Sequence, residues 1–258
     1  MRLIFSRFWL LTIISLLLSL SIGIINPQNS SALSWMDLLF RGVQVIQLST
    51  ISPQQEVAIG RQINQGLLES GKVKLSKDAR INQYVQEIGQ QLAATSDRPD
   101  LPYTFQVVRD NSINAFATMG GFVYLHTGLI KTTDNEAELA SVIAHEIGHI
   151  VGRHSITQLR NTALAQGLLS AAGLETKTWV QLAVNLAYSL PNSRKDELEA
   201  DRLGLTNLAR AGYEPTAMIS FMQKLTQQGG STPTILSTHP ATNDRIVALQ
   251  KQLNSVNN

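Results

Sequence analysis

Cysteine is absent from all 258 residues. Without thiols there is no disulfide, no thiolate metal site, no cysteine nucleophile and no lipid-modified N-terminal cysteine. The redox compartment stays open, an oxidising one included. Excess charge is also missing. The formal charge is +2, and Arg2 and Arg7 supply both units, which leaves 19 basic against 19 acidic side chains beyond residue 32. A neutral body gives no electrostatic support for a nucleic-acid partner, and none is expected. Histidine is scarce as well: His126, His145, His149, His154 and His239 are the whole supply. Any metal site must be built from these rings and from carboxylates.

The composition, 43% hydrophobic and 16% charged, suits a folded chain with a substantial core rather than a disordered one. Residues 1–7 carry two positive charges, Phe8 to Ile25 runs uncharged and mostly apolar, and Ser30-Ser31-Ala32 offers small residues for cleavage. Residues 1–32 therefore read as a secretory signal peptide, with an uncleaved N-terminal membrane anchor as the alternative. Either reading exports the rest of the chain, to the periplasm or to a membrane-associated site outside the cytoplasm. Residues 33–51 read as a linker and 52–258 as one domain.

Within that domain a helix is expected after Ser52-Pro53, and a second from about Ser76. From Tyr103 the apolar period changes to that of a strand, and two further β-prone runs flank Gly120-Gly121 as a hairpin spanning 114–126. His126 ends that hairpin and reads as structural. Thr133-Asp134-Asn135-Glu136 has the form of a capping box, and Leu139, Val142, Ile143, Ile147, Ile150 and Val151 cover much of the helix that follows. The expected fold is mainly α (α+β), with a small sheet beside a buried central helix.

That helix carries Ala144-His145-Glu146-Ile147-Gly148-His149, the pattern H-E-x-x-H. Residues four apart lie one turn apart on nearly the same face, so both imidazoles can reach one metal ion, with Glu146 beside them as a general base. Hydrogen-bonded core histidines are the alternative, but three polar groups inside a core helix need partners, which a metal and its water provide. A third histidine six residues after His149 would define one zincin type. Ser155 holds that position, and His154 falls about 100° away around the helix. His154 therefore reads as a polar residue near the helix end. A downstream carboxylate is the other solution. In Glu197-Leu198-Glu199-Ala200-Asp201 the helical period groups Glu197 and Asp201 with Gly204, Leu205 and Leu208, and turns Glu199 to solvent. Glu197 is the expected third ligand, and Asp201 is placed to orient a ligand histidine.

Together with Asn114-Ala-Phe-Ala, Arg153-His154, Ser237-Thr-His-Pro240 and Asp244-Arg-Ile246, these motifs over residues 52–254 resemble the HtpX and CaaX-prenyl-protease family of zinc metallopeptidases, which includes mitochondrial Oma proteases and bacterial periplasmic relatives. The resemblance implies a zincin-type helical domain with one Zn2+ held by His145, His149 and Glu197, and Glu146 as the base. It implies that Asp201 is an active-site partner. It also implies that His239 stands near the metal, stabilising the reacting carbonyl or plugging the site, and that Asn114 contacts the substrate backbone. Protein substrates, unfolded or damaged in the cell envelope, are implied too. The sequence departs from integral-membrane members in having one membrane-length apolar run, and no helical-repeat tail is seen; oligomeric state is not indicated. The apolar segment 161–190 is expected to be helical and to pack near the cleft. The competing class is a latent, chaperone-like binding module with a structural or plugged zinc site, against which the intact Glu146 argues.

Overall fold

The computed structural model describes residues 51–166, 176–187, 192–227, 232–240 and 243–256. The leader or anchor expected over 1–32 lies outside them, as does the linker apart from Ile51. Helix α1 (Pro53–Glu69) opens on a reciprocal cap: the Ser52 hydroxyl accepts from the Gln55 N–H at 3.2 Å, and the Gln55 carboxamide oxygen accepts from the Ser52 N–H at 2.9 Å. Helix α2 (Ala79–Thr95) starts three residues later than its sequence indicates, on Asp78. Ser76 is held elsewhere, its N–H donating to the Val107 carbonyl at 2.8 Å.

Three strands follow: β1 (Thr104–Val108), β2 (Ala115–Thr118) and β3 (Phe122–His126), in the order β1-β3-β2. The expected hairpin is β2–β3, antiparallel, with Phe116 opposite Tyr124 and Thr118 opposite Phe122. Its turn needs glycine. Gly120 and Gly121 have φ of 82° and 95°, and a Cβ on Gly120 would stand 2.9 Å from the Glu56 carbonyl in α1. β1 pairs with β3 in parallel, and its outer edge is met by residues 74–76. β2 forms the opposite edge. All of β3 is buried, and alternate residues serve two cores. Val123 and Leu125 join the larger core with α2 and the central helix, whereas Phe122 and Tyr124 join a second core under α1.

A short α3 (Thr127–Thr132) leads to the central helix α4 (Glu136–Val151), where every residue from Glu138 to Ile150 is buried. Its cap lies two residues beyond the expected Thr133: Asn135 accepts from the Glu138 N–H at 2.9 Å, and the Glu138 carboxylate accepts from the Asp134 N–H at 2.8 Å. Asn is the better cap residue, and Glu138 stands three residues on from it. Then come α5 (His154–Ala165), α6 (Thr176–Leu186), α7 (Arg194–Arg210), α8 (Thr216–Gln227), a short α9 (Ile235–Thr238) and α10 (Asn243–Val256). Helices α7, α8 and α2 and strand β2 pack around α4. The fold is thus mainly helical with a small three-stranded sheet. Among the described residues no helix is long and apolar enough to cross a membrane.

Candidate metal centre and active site

Helices α4 and α7 approach backbone to backbone. A Cβ on Gly148 would lie 2.5 Å from the Ala200 carbonyl, and one on Gly204 would lie 2.9 Å from that of Ala144. This close crossing sets Glu197 against both histidines of α4. The His149 Nε2 lies 3.2 Å from one Glu197 oxygen, the His145 Nε2 lies 3.5 Å from the other, and the two ring nitrogens are 3.1 Å apart. His239, at the C-cap of α9, brings Nδ1 to 3.3 Å from the His145 Nε2 and 2.9 Å from Glu197. All four residues are buried, and their ligand atoms lie within 4.8 Å of one another.

This arrangement fits a zinc ion on three grounds. Ligand bonds of 2.0–2.1 Å in a tetrahedron space the ligand atoms roughly 3.3–3.4 Å apart. Five of the spacings here, from 2.9 to 3.5 Å, bracket that value, and the whole set lies within 4.8 Å. The second ground is proton placement. His145 Nδ1 donates to Asp201 at 3.0 Å, so the proton a metal would displace is the one on Nε2, which then offers its lone pair to the cluster. The third is charge. Glu146, Glu197 and Asp201 are buried carboxylates, and Arg245 is the buried guanidinium that faces them. With a cation bound the imidazoles are neutral ligands, and the three carboxylates then exceed Arg245 by two negative charges, which a divalent ion balances; without it, protons on His145 and Glu146 do so.

The protein's own charges already separate the roles of these groups. Burial pushes His145 down, but hydrogen bonds to Asp201 and Glu197 override it and lift the ring to about 10. Burial drives His149 down to about 3, against its bond to Glu197 and with the help of the His145 charge. Burial raises the Glu146 carboxyl above the usual carboxylate range. Burial would also raise Glu197 and Asp201, yet the surrounding rings hold Glu197 low, and Arg245 and His145 hold Asp201 low. Both Glu146 oxygens lack a hydrogen-bond partner among the described residues, with His239 Nε2 at 3.6 Å from the nearer one. An acid kept unpaired at the floor of a cleft is poised to exchange a proton with what enters it.

That cleft runs between β2 and α4. Phe116, Ala117, Thr118 and Met119 form one side, Glu146 and His149 the floor, and Asn192, Thr238 and His239 the far wall. Leu159 of α5 also lines it, and so do Ala183 and Leu186 of α6, as expected for the 161–190 region, of which 167–175 and 188–190 lie outside the described residues. The structure brings His145, Glu146, His149, Glu197, Asp201 and His239 together. Asn114 is not among the side chains lining the cleft. It is buried just before β2, its carboxamide oxygen has no partner among the described residues, and its backbone carbonyl accepts from the His126 N–H at 3.0 Å. His126 is buried against Ser112, its Nδ1 2.8 Å from that hydroxyl.

Two residues acquire places at the site that sequence reasoning did not give them. His154 does not end α4; it begins α5 after Arg153, whose φ of 55° reverses the chain. The turn folds the ring back so that its Nδ1 lies 2.9 Å from the Nδ1 of His149. Arg245 is buried in α10, donates to both Asp201 oxygens at 2.7 Å and forms an ion pair with a Glu197 oxygen at 2.6 Å. It clamps two carboxylates of α7 together. The pairs Arg153-His154 and Asp244-Arg245 were the available signals, but spacing alone does not reveal a reversed turn or a contact across 44 residues.

Comparison with known proteins agrees with this geometry. The chain is 33% identical over 225 residues to the beta-barrel assembly-enhancing protease of Escherichia coli (strain K12), covering 81% of this chain and 46% of that protein. It is 32% identical over 233 residues to the Yersinia pestis protein of the same name, covering 81% and 46%. It is also 32% identical over 176 residues to the mitochondrial metalloendopeptidase OMA1 of Schizosaccharomyces pombe, covering 66% and 52%. The chain spans about half the length of the curated relatives it matches. The model of peptidase family M48 matches residues 79–253, from the start of α2 nearly to the end of α10 and so across the whole cluster, and the chain belongs to that family.

Proposed function

We infer that this protein is a zinc metalloendopeptidase that hydrolyses peptide bonds in unfolded or damaged proteins of the cell envelope. The observation that carries the reading is the pairing of two features: ligand atoms of His145, His149 and Glu197 at zinc spacing, and a buried Glu146 without a partner beside them. Bound zinc would supply a Lewis acid and lower the pKa of water to about 7. Glu146 would take the proton of the attacking water and return it to the departing amine. Asp201 holds the His145 ring by its Nδ1–H, and Arg245 fixes Asp201 in turn. His239 donates toward the reacting carbonyl oxygen. An extended substrate would add along β2, the sheet edge that lines the cleft, because main-chain pairing asks little of side chains. Asn114, immediately before that strand, would reach substrate backbone only with its buried carboxamide turned outward.

The envelope setting rests on the basic and apolar N-terminal segment and on the names of the relatives, an enhancer of β-barrel assembly and a mitochondrial endopeptidase. Left uncleaved, that segment would also hold the protein at a membrane. A second reading has an observation of its own. His239 Nδ1 occupies the fourth corner of the cluster, which favours a resting enzyme in which this ring plugs the site. The test is degradation of unfolded casein by the full chain, with chelator and with added zinc, alongside metal content of Glu197→Ala. Cleavage that follows zinc, and loss of tight zinc with Glu197, support the reading. A zinc-loaded wild type that never cleaves makes it a binding module, and tight zinc retained by Glu197→Ala removes Glu197 as a ligand. Faster cleavage by His239→Ala marks the ring as a plug, and slower cleavage marks it as a catalytic donor.

A further inference from the structure

Glu56, in the first turn of α1, is a buried carboxylate outside the stretch that the family model matches. It holds two arginines. Arg98 donates from Nη1 to Oε1 at 3.0 Å and from Nη2 to Oε2 at 2.8 Å, and its Nη1 also donates to the Ile150 carbonyl at 2.9 Å. Arg153 brings its Nη2 to 3.2 Å from Oε2, and the same nitrogen donates to the Ile51 carbonyl at 2.6 Å. The start of α1 is thereby fastened to the last turn of α4 and to the residue that reverses the chain after it. We propose that Glu56 is a positioning residue of the metal centre, acting through Arg153 and His154 on His149. The proposal rests on the reading of His149 as a metal ligand and extends the apparatus of the site to α1.

The turn at 152–154 carries its glycine and its arginine where backbone preference alone would exchange them. Gly152 takes φ −70° and ψ −6°, angles open to any residue, whereas Arg153 takes φ 55°, where glycine is favoured. Among the described residues Arg153 is the one non-glycine residue with positive φ. Space explains Gly152. A Cβ there would lie 2.4 Å from the His154 Nε2 and 2.7 Å from its Cε1, so only glycine lets that ring fold back over the end of α4. Reach explains Arg153, because a glycine would relieve the backbone but could not pair with Glu56. A left-handed residue bearing a Cβ persists only where its surroundings over-determine it. The contacts to Glu56 and Ile51 do so here. Their consequence is the 2.9 Å approach of the His154 Nδ1 to the His149 Nδ1. A ring that binds metal through Nε2 carries its proton on Nδ1, and an acceptor at that atom fixes both the tautomer and the ring orientation.

The experiment is a competition titration with a zinc chelator on the full chain and its variants, each checked for folding by a thermal melt. Glu56→Gln and Arg153→Met release the strained turn, and zinc affinity should fall by about tenfold in each. Arg153→Gly loses the same ion pair but adopts φ 55° without strain, and should stay within about twofold of wild type. Adding Arg153→Gly to Glu56→Gln should restore the affinity, a rescue that a purely structural role for Glu56 would not give. Gly152→Ala leaves both arginines on Glu56 and displaces only the ring, so it should lose about tenfold by itself. Wild-type affinity in Glu56→Gln, or equal losses in Arg153→Met and Arg153→Gly, overturns the proposal. Should Glu56→Gln fail to fold, the two Arg153 variants decide alone. Carbethoxylation of His154 by diethyl pyrocarbonate in the metal-free protein, mapped by mass spectrometry, reads the ring's position without metal. It should rise in Glu56→Gln and Arg153→Met and return to the wild-type level in the double variant, and a His154 equally protected in all of them overturns the link. A wild type that takes up no zinc refutes the metal centre and this role with it, whereas tight zinc left unchanged by every variant refutes the role alone.

Discussion

Replacing Gly148 by alanine isolates the helix crossing on which the site depends. The new Cβ would lie 2.5 Å from the Ala200 carbonyl, where ordinary contact begins at 3.4 Å, so α4 and α7 must move apart by roughly 1 Å. Ala200 sits between Glu197 and Asp201 on α7. The same movement therefore withdraws Glu197, whose oxygens now stand 3.2 and 3.5 Å from the two ring nitrogens. Metal sites tolerate errors of only about 0.2 Å. Overpacking costs about 1–3 kcal/mol, and alanine returns about 1 kcal/mol through its helix propensity. The net loss of stability is then about 0–2 kcal/mol, a fall in Tm of up to about 8 °C. Zinc affinity should fall by about 10–100-fold and cleavage by about 100-fold. Thermal melts of the metal-free protein and competition titration with a zinc chelator measure the two effects separately. A Gly148→Ala protein that binds zinc within about twofold of wild type and cleaves at its rate refutes the argument that this contact positions Glu197.

Three further outcomes follow from the surroundings of the site. Arg245→Met removes the cation shared by Asp201 and Glu197, and urea unfolding of the metal-free protein should show a loss of about 3–5 kcal/mol; a change under about 1 kcal/mol would contradict the clamp. His154→Phe keeps the ring shape but leaves His149 Nδ1 without its partner, and zinc affinity should fall by about 10–100-fold with little change in Tm. His126 titrates away from the site. Burial holds its ring below the usual value of 6.5, against the pull of Asp110. Between the lowered folded value and 6.5 the unfolded chain binds more protons. The contribution of His126 is thus complete above 6.5 and is lost as pH falls through the window beneath it. The Tm difference between wild type and His126→Gln should shrink as the pH falls through that window, and a difference flat with pH would contradict the buried, neutral ring.

The parts of this molecule legible in its sequence are those written as short-range periodicity. A helical period put His145 and His149 on one face and turned Glu197 and Asp201 inward, away from Glu199; the structure buries Glu197 and Asp201 and leaves the Glu199 side chain partly exposed. Gly120-Gly121 marked the hairpin because only glycine takes those two φ angles beside the backbone of α1. Start points were less legible where two caps compete, as at Thr133 and Asn135. The parallel pairing of β1 with β3 was not legible, because the partner of a strand lies outside its local pattern. Nor were the places of His154 and Arg245. One depends on a left-handed residue inside what reads as a continuing helix, and the other on a contact between α7 and α10. The close approach at Gly148 and Gly204 was equally hidden, since glycine within a helix does not announce what lies against it.

The central claim is that Glu146 exchanges the proton of the attacking water while His145, His149 and Glu197 hold the metal. Its most direct test is the rate at which zinc-loaded Glu146→Gln degrades unfolded casein, with zinc content determined on the same sample. The account predicts one zinc per chain, as in wild type, and a rate lower by at least about 100-fold. A Glu146→Gln protein that retains its zinc and cleaves as fast as wild type would contradict it.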